Sequence, residues 1–211
     1  GQTLHVVGLG LNTESEALKR FLKATRTLRE ARAEAICGKL AKIGLEIDWR
    51  SIDTHSIGRG HIAQVLIERG WVRTHQQAFD HYLKRGRKGH VRAEWLSLEV
   101  GVAAIRAAGG IAVLAHPGVY RMTPSKMRRL LAAFRDAGGE GIEVITGAHG
   151  SPADQSAAER ARQFDLFASM GSDFHHPDWP WRQLGRLKSL PDGVRPIWEA
   201  PQLEPYFQDA P

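Results

Sequence analysis

Residues 109–118 read GGIAVLAHPG, and this stretch decides the fold. Gly109-Gly110 breaks the chain, Ile111 to Ala115 is a short apolar strand, and His116-Pro117 stops it. Upstream, Ser97 starts an amphipathic helix that runs through Ala108 to the two glycines. Downstream, Thr123-Pro124 opens a helix ending at Gly138-Gly139, Gly141 to Thr146 is a strand, Ser151-Pro152 opens another helix, and Leu166 to Met170 is a further strand. Helices alternating with short apolar strands predict a parallel sheet with right-handed crossovers, doubly wound or closed into a barrel. In either closure, ligand-binding residues belong at the C-terminal ends of the strands.

The first hundred residues read differently. Thr3 to Leu9 (TLHVVGL) alternates, is β-branched and reads as a strand ending at Gly8 and Gly10. Thr13 and Glu16 have capping-box spacing. Apolar residues from Leu18 to Ile43 then keep helical spacing up to Gly44, as one long helix or two in succession. A second helical stretch runs from about Gly60 to Arg69, and a third opens at Thr74, with Gln77 three residues on, and ends near Gly86. Residues 12–95 are thus helix and loop, basic on the exposed faces.

With 211 residues and 42% hydrophobic composition, the chain can bury one substantial core with a subsidiary module. Its single cysteine, Cys37, sits on an apolar helix face with no local base. It can form no internal disulfide, which points to a reducing, cytoplasmic setting, and it is not expected to be a nucleophile. No apolar run approaches the roughly 20 residues of a membrane span. A net charge of +6 and a pI near 9.8 favour an anionic partner. Many proteins that never meet nucleic acid share that balance.

The residues with chemistry gather at predicted strand ends. His116 follows the strand ending at Ala115, and Gly171-Ser172-Asp173-Phe174-His175 follows the one ending near Met170, so both groups belong on one rim. Imidazoles and a carboxylate arriving from separate strands are a ligand set that zinc, manganese or iron accepts. Alternation in an extended segment sends Asp173 and His175 to one side, and His5 adds a fourth candidate. Each has a plain structural use when taken singly: a hydrogen-bonded core histidine, a strand end, a capping turn. Arg59 and His61, at a helix start, can offer a guanidinium fork, an imidazole and free backbone N–H groups to a phosphate. Arg85 and Lys88 could reach a second phosphate, with Arg29 and Arg32 as further cations. Trp179 and Trp181 serve either as packing residues or as a stacking face for a base.

The segments LHVVGL, GRGHIAQVLIERG, YLKRG, GGIAVLAHPG, GIEV and GSDFHHPDWPW resemble those of the polymerase and histidinol phosphatase (PHP) family. Within it they are most similar to small bacterial phosphoesterases acting on nucleoside 3',5'-bisphosphates and on short RNA from its 5' end. The resemblance covers nearly the whole chain. It implies a distorted seven-stranded β/α barrel formed by residues 1–11 and 96–211, with residues 12–95 as a helical insertion covering the active site. It also implies two or three divalent ions, manganese first and iron or zinc next, held by His5, His116, Asp173 and His175. Asp173 and His116 would be catalytic in hydrolysis by metal-activated hydroxide. The substrate would be a nucleotide or short RNA, with no membrane and no obligate protein partner evident. The family's His-x-His, Asp, His and bridging Glu ligands do not occur here, so roughly 70 residues are expected upstream. Rival readings are an amidohydrolase-like enzyme acting on a C–N bond and a non-catalytic nucleic-acid-binding module.

Overall fold

The computed structural model of the protein describes residues 3–147, 152–175 and 182–207. The chain divides into two compact units, Gly1–Lys19 with Ser97–Pro211, and Arg20–Leu96.

In the first unit, β1 (Val6–Leu9), β2 (Ile111–Leu114), β3 (Gly141–Thr146) and β4 (Phe167–Gly171) form one sheet in the order β1-β2-β3-β4. β2 to β4 are parallel, joined by helices Pro124–Asp136 and Pro152–Gln163, as the alternation predicts. The helix before β2, Leu98–Ala107, is capped by Ser97, whose Oγ accepts the Val100 N–H. The helix after β2 is capped by Thr123, with Pro124 at its first turn, where no N–H is needed.

β1, for which the sequence gives no direction, runs antiparallel to β2, with Val6 opposite Leu114 and Leu9 opposite Ile111. The Asn12 N–H donates to the Ala108 carbonyl at 2.9 Å, so the exit of β1 and the entrance of β2 meet at one end. Strands joined at one end must run in opposite directions. Among the described residues the strands make an open mixed row, extended past β4 by a single bridge from Ala168 to Pro196. β2 is buried at all four positions, and the core includes Leu131, Phe134, Ile142, Val144, Ala158 and Ala168. Full burial of each large side chain stabilises by about 1.5–3 kcal/mol.

The second unit is helical. The single helix Glu16–Ala41 enters it from the first unit and stops before Gly44, whose φ of 82° suits the absence of a Cβ. The expected Thr13–Glu16 capping box is not formed, because Asn12 Oδ1 takes the Glu14 N–H and the helix starts only at Glu16. Helix Arg59–Glu68 and the short helix His75–Ala78, capped by Thr74 Oγ1 on the Gln77 N–H, follow. A π-helical turn, Phe79–Leu83, completes the set. Ile36, Leu40, Ile62, Leu66 and Leu83 form its core.

Cys37 lies in this core, and burial first, with the Asp48 charge second, pushes its thiol up to about 11. A thiol-labelling reagent at pH 8 should therefore leave the folded protein unmodified and react only once denaturant opens the unit. Rapid labelling of native protein would contradict this burial. No described helix is long and apolar enough to cross a membrane.

Candidate functional site

At the C-terminal end of β2, His116 adopts the left-handed conformation, φ 31° and ψ 59°. The residue is 8% exposed. Nε2 lies 3.0 Å from Nδ1 of His5, which enters from just before β1. Tyr120 fixes that approach: its hydroxyl accepts the His5 N–H at 2.9 Å, and its ring meets His116 edge-on.

Beneath the pair lies Glu143, 9% exposed in the middle of a strand whose other neighbours are apolar. Its Oε2 accepts the backbone N–H of His116 at 2.6 Å. Burial is the largest influence and raises its carboxyl above the ordinary range. The His116 hydrogen bond opposes that shift, and the Asp173 charge adds to it. Two features make room for the carboxylate. The β3–β4 register shifts between Glu143 and Ile145, a bulge that locally re-aims the strand. Gly171 leaves open the space where a Cβ would collide with Glu143 Oε1.

Asp173 follows β4, also with positive φ, at 51°. Only three described non-glycine residues have positive φ, and two of them are His116 and Asp173. Such conformations cost of order 1–3 kcal/mol and gather where geometry serves function. Asp173 pairs through Oδ2 with Arg182, and its charge reaches Glu143 and Tyr120. His175 is 63% exposed in its side chain, with Nδ1 2.7 Å from the Asp173 carbonyl.

The four expected metal ligands are thus unequally placed. His5 and His116 meet, Asp173 lies within charge range of the groups around them, and His175 faces outward beside Asp173. Among the described residues no three metal-type donors converge on one point. Two imidazole nitrogens 3.0 Å apart are nevertheless compatible with neighbouring positions on one ion at about 2.1 Å each. In addition, the buried Nδ1 of His116 has no hydrogen-bond partner among the described residues. The residues present fit a divalent ion as part of its shell.

Glu143, Tyr120 and Arg182 were not singled out by sequence reasoning. For Glu143 a signal existed: glutamate is almost never fully buried without a partner, yet it interrupts the apolar run GIEV. Trp179 and Trp181 lie outside the described residues.

The second unit holds a cationic recess of its own. Arg29, Arg32, Arg59, Gly58 and Trp95 line it. The guanidiniums of Arg29 and Arg32 lie over the Trp95 ring at 5.0 and 5.8 Å, and that of Arg59 lies over Phe79. None of the three is ion-paired with a described carboxylate. Burial, then the charges of Arg59 and Arg29, lower the pKa of Arg32. His61 turns back on its own helix start: the Gly58 N–H donates to its Nδ1 at 3.1 Å, leaving Nε2 as the outward donor, 3.4 Å from Thr54 Oγ1. Arg85 and Lys88 stand exposed on the following loop.

No family model matches the chain. A 5'-3' exoribonuclease of Haemophilus influenzae is 37% identical over 202 residues, covering 94% of this chain and 73% of its own length. A 3',5'-nucleoside bisphosphate phosphatase of Chromobacterium violaceum is 39% identical over 202 residues, covering 93% of this chain and 70% of its own. A solved structure of an amidohydrolase from Chromobacterium violaceum, with bound sulfate and no metal, superposes with a TM-score of 0.84 at 38% identity. It covers 96% of this chain and 72% of its own.

Proposed function

Because the chain belongs to the PHP family of phosphoesterases, we propose that it hydrolyses phosphate esters of nucleotides, namely nucleoside 3',5'-bisphosphates and the 5' ends of short RNA. The four described strands are read as part of the family's distorted barrel. The observation that carries the proposal is the His5–His116 pair, with a strained Asp173 after β4 and a buried Glu143 within β3 whose carboxylate holds the His116 backbone.

In this reading His5, His116, Asp173 and His175 hold divalent ions, manganese first, with iron or zinc as alternatives. When bound, the ions supply Lewis acidity toward phosphate oxygens and water. The chain's own residues do the rest. Tyr120 and the Glu143 carboxylate hold the backbone from which the two imidazoles project, by accepting the backbone N–H groups of His5 and His116. Arg182 holds Oδ2 of Asp173, and Oδ1, which lies 3.5 Å from His175 Nδ1, orients the attacking water.

Arg59, supported by Arg29 and Arg32, takes the non-reacting phosphate. The Nε2 donor of His61 and the free N–H groups of the Arg59–Glu68 helix add to the grip. The solved relative named an amidohydrolase raises C–N hydrolysis as the rival. Three clustered arginines argue for phosphate, since a neutral amide offers them no counter-charge.

The test is phosphate release from a nucleoside 3',5'-bisphosphate by the intact protein with manganese. Release that stops on chelation supports the reading, whereas amide hydrolysis without phosphate release would replace it. Replacing Arg59 with Ala removes a charge-assisted bond worth about 1.5–3 kcal/mol. The KM for the bisphosphate should therefore rise about 10–100-fold, and much less for a 5'-monophosphate. Equal effects on the two substrates would remove Arg59 from this role.

A further inference from the structure

The chain's charge is partitioned between its units. Arg20–Leu96 carries 16 Lys and Arg against 8 Asp and Glu, a net of +8, while the remainder carries 13 against 15, a net of −2. The three recess arginines account for only part of that excess.

Much of the rest lies on one loop, Lys84-Arg85-Gly86-Arg87-Lys88-Gly89-His90. Lys84 is neutralised by Asp80 at 2.7 Å, and Arg87 also acts on Asp80. Arg85 and Lys88 are exposed and have no ion-pair partner among the described residues. Lys39, on the long helix, reaches the same loop and donates to the His90 carbonyl at 2.7 Å, so its charge is anchored without being cancelled.

The loop is pinned in place. The Gly89 N–H donates to the Tyr82 carbonyl, the His90 N–H to that of Arg87, and the Arg87 N–H to that of Lys84. A Cβ at Gly89 would press on the Tyr82 carbonyl at 2.9 Å and on Leu40 at 3.0 Å. The loop is therefore seated against the core by a glycine that no larger residue replaces freely.

His90 links it to the recess. Its imidazole is held below the ordinary value by burial first, then by the charges of Arg32, Arg59, Lys39 and Arg85. Cations of the recess, Arg32 and Arg59, and of the loop region, Lys39 and Arg85, thus act on one imidazole, so the two groups of charge adjoin at His90.

We infer that Arg85, Lys88 and Lys39 form a backbone-binding surface for RNA, gripping phosphates beyond the terminal nucleotide, separately from the Arg29–Arg32–Arg59 recess. The inference rests on the nucleotide-hydrolase reading and deepens it, because an enzyme working from an RNA end must hold polymer that a free bisphosphate lacks. It also revises the expectation that Arg85 and Lys88 bind the second phosphate of a small substrate.

The intact protein and a double variant, Arg85→Glu with Lys88→Glu, are compared on a short 5'-phosphorylated oligoribonucleotide and on a nucleoside 3',5'-bisphosphate. The ratio of the two kcat/KM values, RNA over bisphosphate, should fall at least about tenfold, since each exposed phosphate contact is part of a salt-sensitive polyelectrolyte term. The slope of log Kd for the labelled oligoribonucleotide against log salt should become shallower by about 1.4, or about 0.7 per lost contact on a single strand. The milder Arg85→Ala, Lys88→Ala pair should change both readouts in the same direction. An unchanged ratio with unchanged anisotropy would overturn the inference and leave the loop to an acidic protein surface. Equal losses on both substrates would overturn it in favour of the small-substrate subsite. Wild-type protein that turns over neither substrate would sink the hydrolase reading, while anisotropy of the labelled RNA would still judge the loop.

Discussion

Substituting both His116 and Asp173 with asparagine is expected to abolish phosphate release, lowering kcat by at least about three orders of magnitude. His116 supplies the buried imidazole facing His5, and Asp173 supplies the only described carboxylate that combines a positive φ with an ion pair to Arg182. Removing them takes away donors for groups whose electrostatic contribution is several kcal/mol, at 1.36 kcal/mol per tenfold in rate. Asparagine is the right replacement because it tolerates positive φ, where alanine would add backbone strain. The variant should therefore keep the wild-type circular dichroism spectrum, which separates lost chemistry from lost fold. Residual turnover within tenfold of wild type would remove both residues from the reaction centre.

The second large effect is expected at Glu143. Its carboxyl is raised by burial, so the folded protein binds that proton more tightly than the unfolded chain does. The stability contributed by the protonated carboxyl is fully present below the unfolded pKa, and it is lost as pH rises through the folded pKa. Glutamine keeps an acceptor for the His116 N–H and carries no charge to desolvate. Without metal, Glu143→Gln should therefore melt near wild type around pH 4.5 and above it by about 2–4 °C at pH 8, what ~1 kcal/mol is worth in a chain of this size.

The same substitution should weaken manganese binding about 10–100-fold, because the Glu143 carboxylate holds the His116 backbone N–H, and so the aim of that imidazole, through a charge-assisted bond that an amide makes more weakly. Calorimetric titration with manganese would read this directly. A variant that melts below wild type at pH 8, or binds manganese as tightly, would mean that Glu143 serves only packing.

Much of this organisation is legible in the residues themselves. The edges of β2, β3 and β4 and of their helices follow from Ser97, Thr123-Pro124 and the paired glycines, because capping and helix-breaking act within a few residues. Parallel strands carry their C-terminal ends to one side, so His116 and Asp173 could be assigned to one rim from local pattern alone.

The direction of β1 was not legible, since alternation carries no sense of direction and the antiparallel pairing depends on where Asn12 meets Ala108. Glu143 was legible only as a polar break in the apolar run GIEV, and its environment was not. Its raised carboxyl comes from burial and from the charge of Asp173, thirty positions on, neither of which a neighbouring residue encodes.

By itself, the sequence determined the alternating elements, the helical second unit and the identity of the rim and recess candidates, all properties set by near neighbours along the chain. Tertiary structure alone decided that His5 meets His116, that Tyr120 and Arg182 hold the rim, that His61 folds back on Gly58, and that Asp80 cancels Lys84 while Arg85 and Lys88 have no ion-pair partner among the described residues. Hydrogen bonds, burial and charge pairing fall off within a few ångströms of space, and distance along the chain does not report that separation.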